Sequence, residues 1–181
     1  MATARPKKTK ADFAALPETT HAELIGGEIY VSPAPKRPHQ ASVGNLYLAL
    51  RVHLDATGTG KVFLAPFDVH LPSGDIVEPD LVVVLAPNLH IVRDWIYGVP
   101  DLLIEVTSPS RPMHDRAVKR ALYADNCVHE YWIVDPDERS VEVLTLVEGQ
   151  WRPAGFFSGE ATMRSPLLAG FTLALPELFA T

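Results

Sequence analysis

The chain has 181 residues, 47% apolar and 21% charged, with a formal net charge of −6. That size suits one domain with a real core, and the single cysteine, Cys127, excludes an internal disulfide and a thiolate zinc site. The acidic balance argues against coating nucleic acid through the bulk field, and no window holds the roughly 18 uncharged apolar residues of a membrane span.

The N-terminus, MATARPKKTK, is basic but is followed by no apolar stretch, so it does not read as a secretory leader and a cytoplasmic protein is expected. Residues 1–11 are expected as a disordered tail, and residues 12–181 as a single domain. HAELIGGEIYVSPAP predicts a hairpin about Gly26-Gly27, closed by Pro33 and Pro35. From Pro38 to Thr57, Val43, Leu46, Leu50 and Leu54 recur at helical spacing, with Gly58 and Gly60 just beyond. KVFLAPFDVHL and DIVEPDLVVVL predict two strands joined by a PSG turn, and DLLIEVT predicts a third after an irregular connection from Pro87 to Pro100. The second and third are apolar on both faces, as in a sheet covered on both sides. RPMHDRAVKRALYADN predicts a helix, with Pro112 in its first turn, and HEYWIVDP another strand. A meander with a turn near Glu148-Gly149 follows, and LLAGFTLALPELF predicts a last strand and a terminal helical turn. This order predicts an α/β (α+β) fold with a mixed sheet flanked by helices.

Three acids interrupt the core strands: Asp80 in EPDLVVV, Glu105 in LLIEVTS and Asp135 in WIVDP. Asp135, before Pro136, reads as a turn cap. Asp80 can be read as an ordinary strand-entry residue. Glu105 is harder to place, because period two points it at one of two covered faces, where an unpaired carboxylate costs several kcal/mol by rough estimate. Three partners would relieve it: a buried arginine or lysine, a set of hydrogen-bond donors, or a divalent cation shared with Asp80 from a neighbouring strand. The helix after TSPS offers Lys119, one turn from Asp115, on the side expected to face the sheet; an exposed ion pair between those two is the plainer reading. Other basic residues, Lys36 and Arg37 before the first helix and Arg111, Arg116 and Arg120 about the second, read singly as solvated faces but permit a phosphate-bearing substrate.

These segments together, EPDLVVV, PDLLIEVTSPS and DRAVKRALYADNCVHEYWIVDPDERSVEVLTL, resemble the Uma family of restriction endonucleases, a branch of the PD-(D/E)XK nuclease superfamily found in bacteria. AELIGGEIYVSPAPKRPHQ and SPLLAGFTLALPELF are similar to the family's two ends, so the resemblance covers residues 12 to 180. It implies a restriction-endonuclease-like core and a Mg²⁺-dependent (or Mn²⁺-dependent) endonuclease acting on nucleic acid, DNA first, often as a homodimer. By the motif, Asp80 and Glu105 are metal ligands and catalytic acids, and the backbone carbonyl of Val106 is a further ligand. The superfamily's lysine is absent from position 107, which is Thr107, and the resemblance assigns that role to Lys119. Glu28, His39 and Asp115 are accessory candidates, and Lys36, Arg37, Arg111, Arg116 and Arg120 are candidates for binding nucleic acid. Thr107 and the acidic balance also suit a non-cleaving descendant that binds or regulates.

Overall fold

The computed structural model describes residues 6–17, 19–107 and 113–181, with side chains in the last range from residue 117 onward. Helix α1 (Lys10–Ala14) begins with a capping box, in which Thr9 Oγ1 accepts from the Asp12 N–H and Asp12 Oδ2 accepts from the Thr9 N–H. The Lys8 N–H donates to the Gly27 carbonyl at 2.7 Å, so residues 8–14 are ordered against the first hairpin rather than continuing a disordered tail to residue 11. That hairpin is β1 (Ala22–Ile25) and β2 (Glu28–Val31). Its turn places Gly26 and Gly27 at φ 61° and 85°, a region open to glycine without steric cost. Helix α2 (Arg37–Thr57) follows and buries Val43, Leu46, Leu50 and Leu54 on one side, as the spacing predicts.

The next two predicted strands each break in two. Leu64 ends β3 (Gly60–Leu64), and the chain resumes as β4 (Val69–His70); β5 (Ile76–Val77) likewise stops before β6 (Leu81–Leu85). The breaks fall at Pro66 and Pro79, which have no N–H to give a ladder. Because both arms break at the same level, β3 pairs with β6 in one sheet while β4 pairs with β5 in another. A 3₁₀ segment (Ala86–Ile91) leads to β7 (Ile96–Tyr97), which joins β4, and then come β8 (Leu102–Val106), α3 (Met113–Asp125) and β9 (Glu130–Asp135). Strands β10 (Ser140–Val147) and β11 (Gln150–Ser158) form the meander. The end of the chain is β12 (Thr162–Arg164), which the sequence pattern did not suggest, β13 (Thr172–Ala174) and α4 (Leu175–Leu178).

The main sheet has the order β11-β10-β9-β8-β6-β3, parallel between β8 and β9 and otherwise antiparallel. The parallel pair is the one joined through α3, as a helical crossover requires. The second sheet has the order β2-β1-β5-β4-β7, and β12 pairs with β13. On one face of the main sheet, Leu81, Val83, Leu102 and Ile104 pack with α2, Trp132, Leu175 and Leu178. On the other, Val82, Val84 and Leu103 pack with Tyr123, Tyr131 and Val69, Val77 and Ile96 of the second sheet. Both faces are covered, as the unbroken apolar runs predicted. Asp135 Oδ1 accepts from the N–H groups of Asp137 and Glu138 at 3.1 Å, the expected turn cap.

At the start of β9 the Glu130 carboxylate accepts from Trp132 Nε1 at 2.7 Å, Ser165 Oγ at 2.5 Å and the Leu167 N–H at 3.0 Å, tying the C-terminal segment to the sheet. Burial raises its pKa above the ordinary 4.5, against the lowering effect of these donors. Ionising it therefore costs the folded state more than the unfolded chain: its contribution is fully present below pH 4.5 and is lost as pH rises through the raised folded value. Urea titrations at a series of pH values are expected to give a stability advantage of wild type over Glu130→Gln that shrinks with rising pH; an advantage that grows with pH would contradict this assignment.

Candidate active site

Strands β6 and β8 run antiparallel with Leu81 opposite Ile104, Val82 opposite Leu103 and Val83 opposite Leu102. The next step of that register brings Asp80 opposite Glu105, where β6 begins and β8 ends. The two acids thus enter one locality from adjacent strands, 8% and 5% exposed. Asp80 Oδ2 accepts from the Val106 N–H at 2.7 Å, which orients the carboxylate across the end of the ladder. His39, buried in the first turns of α2, holds Nε2 at 3.2 Å from Asp80 Oδ1. Its Nδ1 has no hydrogen-bond partner among the described residues.

Glu105 is met from α3. Lys119 Nζ lies 2.8 Å from Glu105 Oε1, and Tyr123 Oη donates to the same oxygen at 2.7 Å. Lys119 and Tyr123 are four apart and share one helix face, so a single placement of α3 delivers both. The same Nζ lies 2.9 Å from Glu23 Oε1 on β1, which also accepts from the Glu78 N–H at 2.8 Å. Lys119 is 2% exposed. Burial, then the charges of Glu105 and Glu23, push the Tyr123 hydroxyl well above the usual tyrosine range, so it stays a donor. Nearby, Asp68 and Glu78 are raised chiefly by burial; Glu23 adds to both, and His21 partly offsets the rise at Glu78. A cleft of about 390 Å³ opens here, with Asp80, His39, Glu78, His21 and Lys36 in its wall. Among the described residues no three His, Cys, Asp or Glu side chains group in a way that could hold a metal ion.

The chain matches the Uma2 family, described as "Putative restriction endonuclease", over residues 11–176. It belongs to that family. Its fold also matches solved structures, among them a "putative nuclease belonging to DUF820" from Anabaena variabilis, with 22% identity over 94% of this chain and 97% of that one and a TM-score of 0.79. At that identity the likeness establishes the fold alone. No curated protein matches the chain. The family's description is what supports nuclease function.

In this Uma2 chain Asp80 meets the Val106 N–H and His39, Glu105 meets Lys119, and Lys36 stands on the cleft wall, with Arg37, next in sequence, exposed. Other candidates lie elsewhere. Glu28 is exposed and accepts from Tyr30 Oη at 2.9 Å on the hairpin surface. Arg120 lies 3.7 Å from Glu142 of β10, and its carbonyl accepts from Trp151 Nε1. Arg111 and the side chains of Asp115 and Arg116 fall outside the described residues. Glu23 was missed, although it carries the signal that drew attention to Glu105: a carboxylate in a strand buried at all four positions. Tyr123 was not among the candidates either.

No helix among the described residues is long and apolar enough to cross a membrane. Removing Lys119 leaves Glu23 and Glu105 buried without the cation between them. Lys119→Ala is expected to lower unfolding free energy in urea by roughly 3–5 kcal/mol, and Glu23→Gln in that background to restore part of it. Additive losses in the double variant would contradict the shared ion pair.

Proposed function

We propose that this protein is a metal-dependent endonuclease of the PD-(D/E)XK type that hydrolyses phosphodiester bonds in DNA. The observation that carries the reading is the convergence of Asp80 and Glu105 from neighbouring strands with the Lys119 ammonium 2.8 Å from Glu105. The donor set is hard oxygen: two carboxylates and, at the same strand end, the Val106 carbonyl. That chemistry fits Mg²⁺ or Mn²⁺, which take one or two carboxylates and keep several waters, better than zinc, which favours Cys and His donors. Bound there, such an ion would supply Lewis acidity toward a phosphoryl oxygen and a bound water of lowered pKa.

The chain's own residues do the rest. Asp80, its orientation set by the Val106 N–H and His39, presents a carboxylate to the cleft. Glu105 is held by Lys119 and Tyr123 so that its position does not depend on the ligand. Lys119, aimed by two carboxylates, steadies an attacking water or the charge that develops on the phosphoryl group. Its origin on α3 accounts for Thr107 at the superfamily's lysine position. Lys36 and Arg37 give the cleft rim positive charge for the backbone. Cutting both strands of a duplex calls for two such centres, so a homodimer on DNA goes with this reading.

A second reading, a non-cleaving nucleic-acid-binding or regulatory module, draws on one specific feature: Lys119 is 2% exposed and engaged by two acids, as a structural ion pair would be. A supercoiled-plasmid nicking assay separates the two. With Mg²⁺ or Mn²⁺, wild type is expected to nick, chelation by EDTA to abolish it, and Asp80→Asn or Glu105→Gln to slow it at least about a hundredfold. Nicking that survives EDTA, or both variants cutting like wild type, would overturn the assignment. Saturable Mn²⁺ uptake in calorimetry, lost in Asp80→Asn, is the matching result for the ion.

A further inference from the structure

Next to the candidate cleft, across Leu64, lies a second one of about 400 Å³ on the outer edge of β3, and Leu64 lines both. Strand β3 is the free edge of the main sheet. Along this edge the rings of Phe63 and Phe67 stack at 5.1 Å and 23°, and Trp95 continues the row with its centroid 5.9 Å from Phe67. Trp95 is 41% exposed, whereas Trp132 is fully buried. Lys61 and Arg51 stand in the same cleft, Arg51 with Asp55 as its ion-pair partner. The exposed Trp95 ring, at the end of a row of half-buried phenylalanines and near Lys61 and Arg51, suits a polyanion that also offers flat apolar faces, and the bases of nucleic acid are such faces. In a duplex those faces are covered by neighbouring base pairs; only unpaired nucleotides expose them. A second copy of the chain is a poorer fit, since a twofold contact would bring Lys61 and Arg51 against their own equivalents.

We infer that this edge, formed by Phe63, Phe67 and Trp95 with Lys61 and Arg51, binds unpaired nucleotides of the strand that enters or leaves the Asp80 cleft. The inference rests on the nuclease reading and adds to it where the strand runs and in what form. Cutting near a single-stranded segment or a melted end follows from it.

The test uses the full chain in EDTA, so that nothing is cut, with a labelled oligothymidylate of about 20 nucleotides, longer than the usual site of a single-strand groove, and a duplex of equal length. The oligothymidylate is expected to quench tryptophan fluorescence, and Trp95→Phe to remove most of the quench while keeping the affinity. Trp95→Ala and Phe67→Ala are expected to weaken single-strand binding roughly tenfold, the loss of about one stacked base, with duplex binding unchanged. Thermal melts check that each variant is folded. Wild-type affinity in both alanine variants would overturn the inference, as would loss of self-association in sedimentation with strand binding intact. Nicking assays on the same preparations separate this from the reading it rests on. Cation-dependent cutting with strand binding indifferent to Trp95 and Phe67 overturns the platform alone; strand binding through Trp95 without any cutting overturns the hydrolase alone.

Discussion

One buried ammonium holds three elements together. Lys119 of α3 sits between Glu23 of the second sheet and Glu105 of the main sheet, almost without solvent. A charge so placed is tolerated only when its partners are close and well oriented, because desolvation costs several kcal/mol per ion, by rough estimate, and a low-dielectric interior returns that only at short range. Each partner therefore depends on the others: α3 cannot rotate without stranding two carboxylates, and β1 cannot shift without unbalancing the lysine. The Tyr123 hydroxyl, on the same helix face, adds a second hold on Glu105.

The position of Asp80 has a different origin. It follows from the proline break before β6, which turns the chain from one sheet into the other and starts the new strand just after Asp80, near the end of β8. The acid then lies where the ladder stops and the Val106 N–H is free to bond its side chain. The arrangement concentrates acids: burial and then Glu23 raise the pKa of Asp68, and burial and then Asp68 and Glu23 raise that of Glu78, against the lowering effect of His21. A fold optimised for stability alone would not gather acids in this way.

Much of this was legible in the residues. Apolar periodicity located both long helices and the covered strands, and the mismatch of Glu105 with its surroundings pointed to the site before any fold was known. What escaped has physical reasons. The two broken strands read as continuous because alternation does not register a change of sheet, and the prolines at the breaks were given no weight. Glu23 escaped because a hairpin is ordinarily covered on one face, whereas here β1 is buried at all four positions within the second sheet and Lys119 of α3 reaches Glu23. The segment 8–14 is ordered by a cap and one backbone bond to Gly27, interactions that leave no apolar signature. Arg120, a candidate for binding nucleic acid, lies on the half-exposed surface beside Glu142, a neighbour on β10 that no local spacing shows.

The claim that matters most is that a divalent ion is shared where β6 begins and β8 ends. Crystals of the wild-type protein soaked in Mn²⁺ and measured for anomalous scattering test it directly. The account predicts one strong peak within ligand distance of the Asp80 and Glu105 carboxylates and the Val106 carbonyl; no peak there, or occupancy only among Glu23, Asp68 and Glu78, would contradict it.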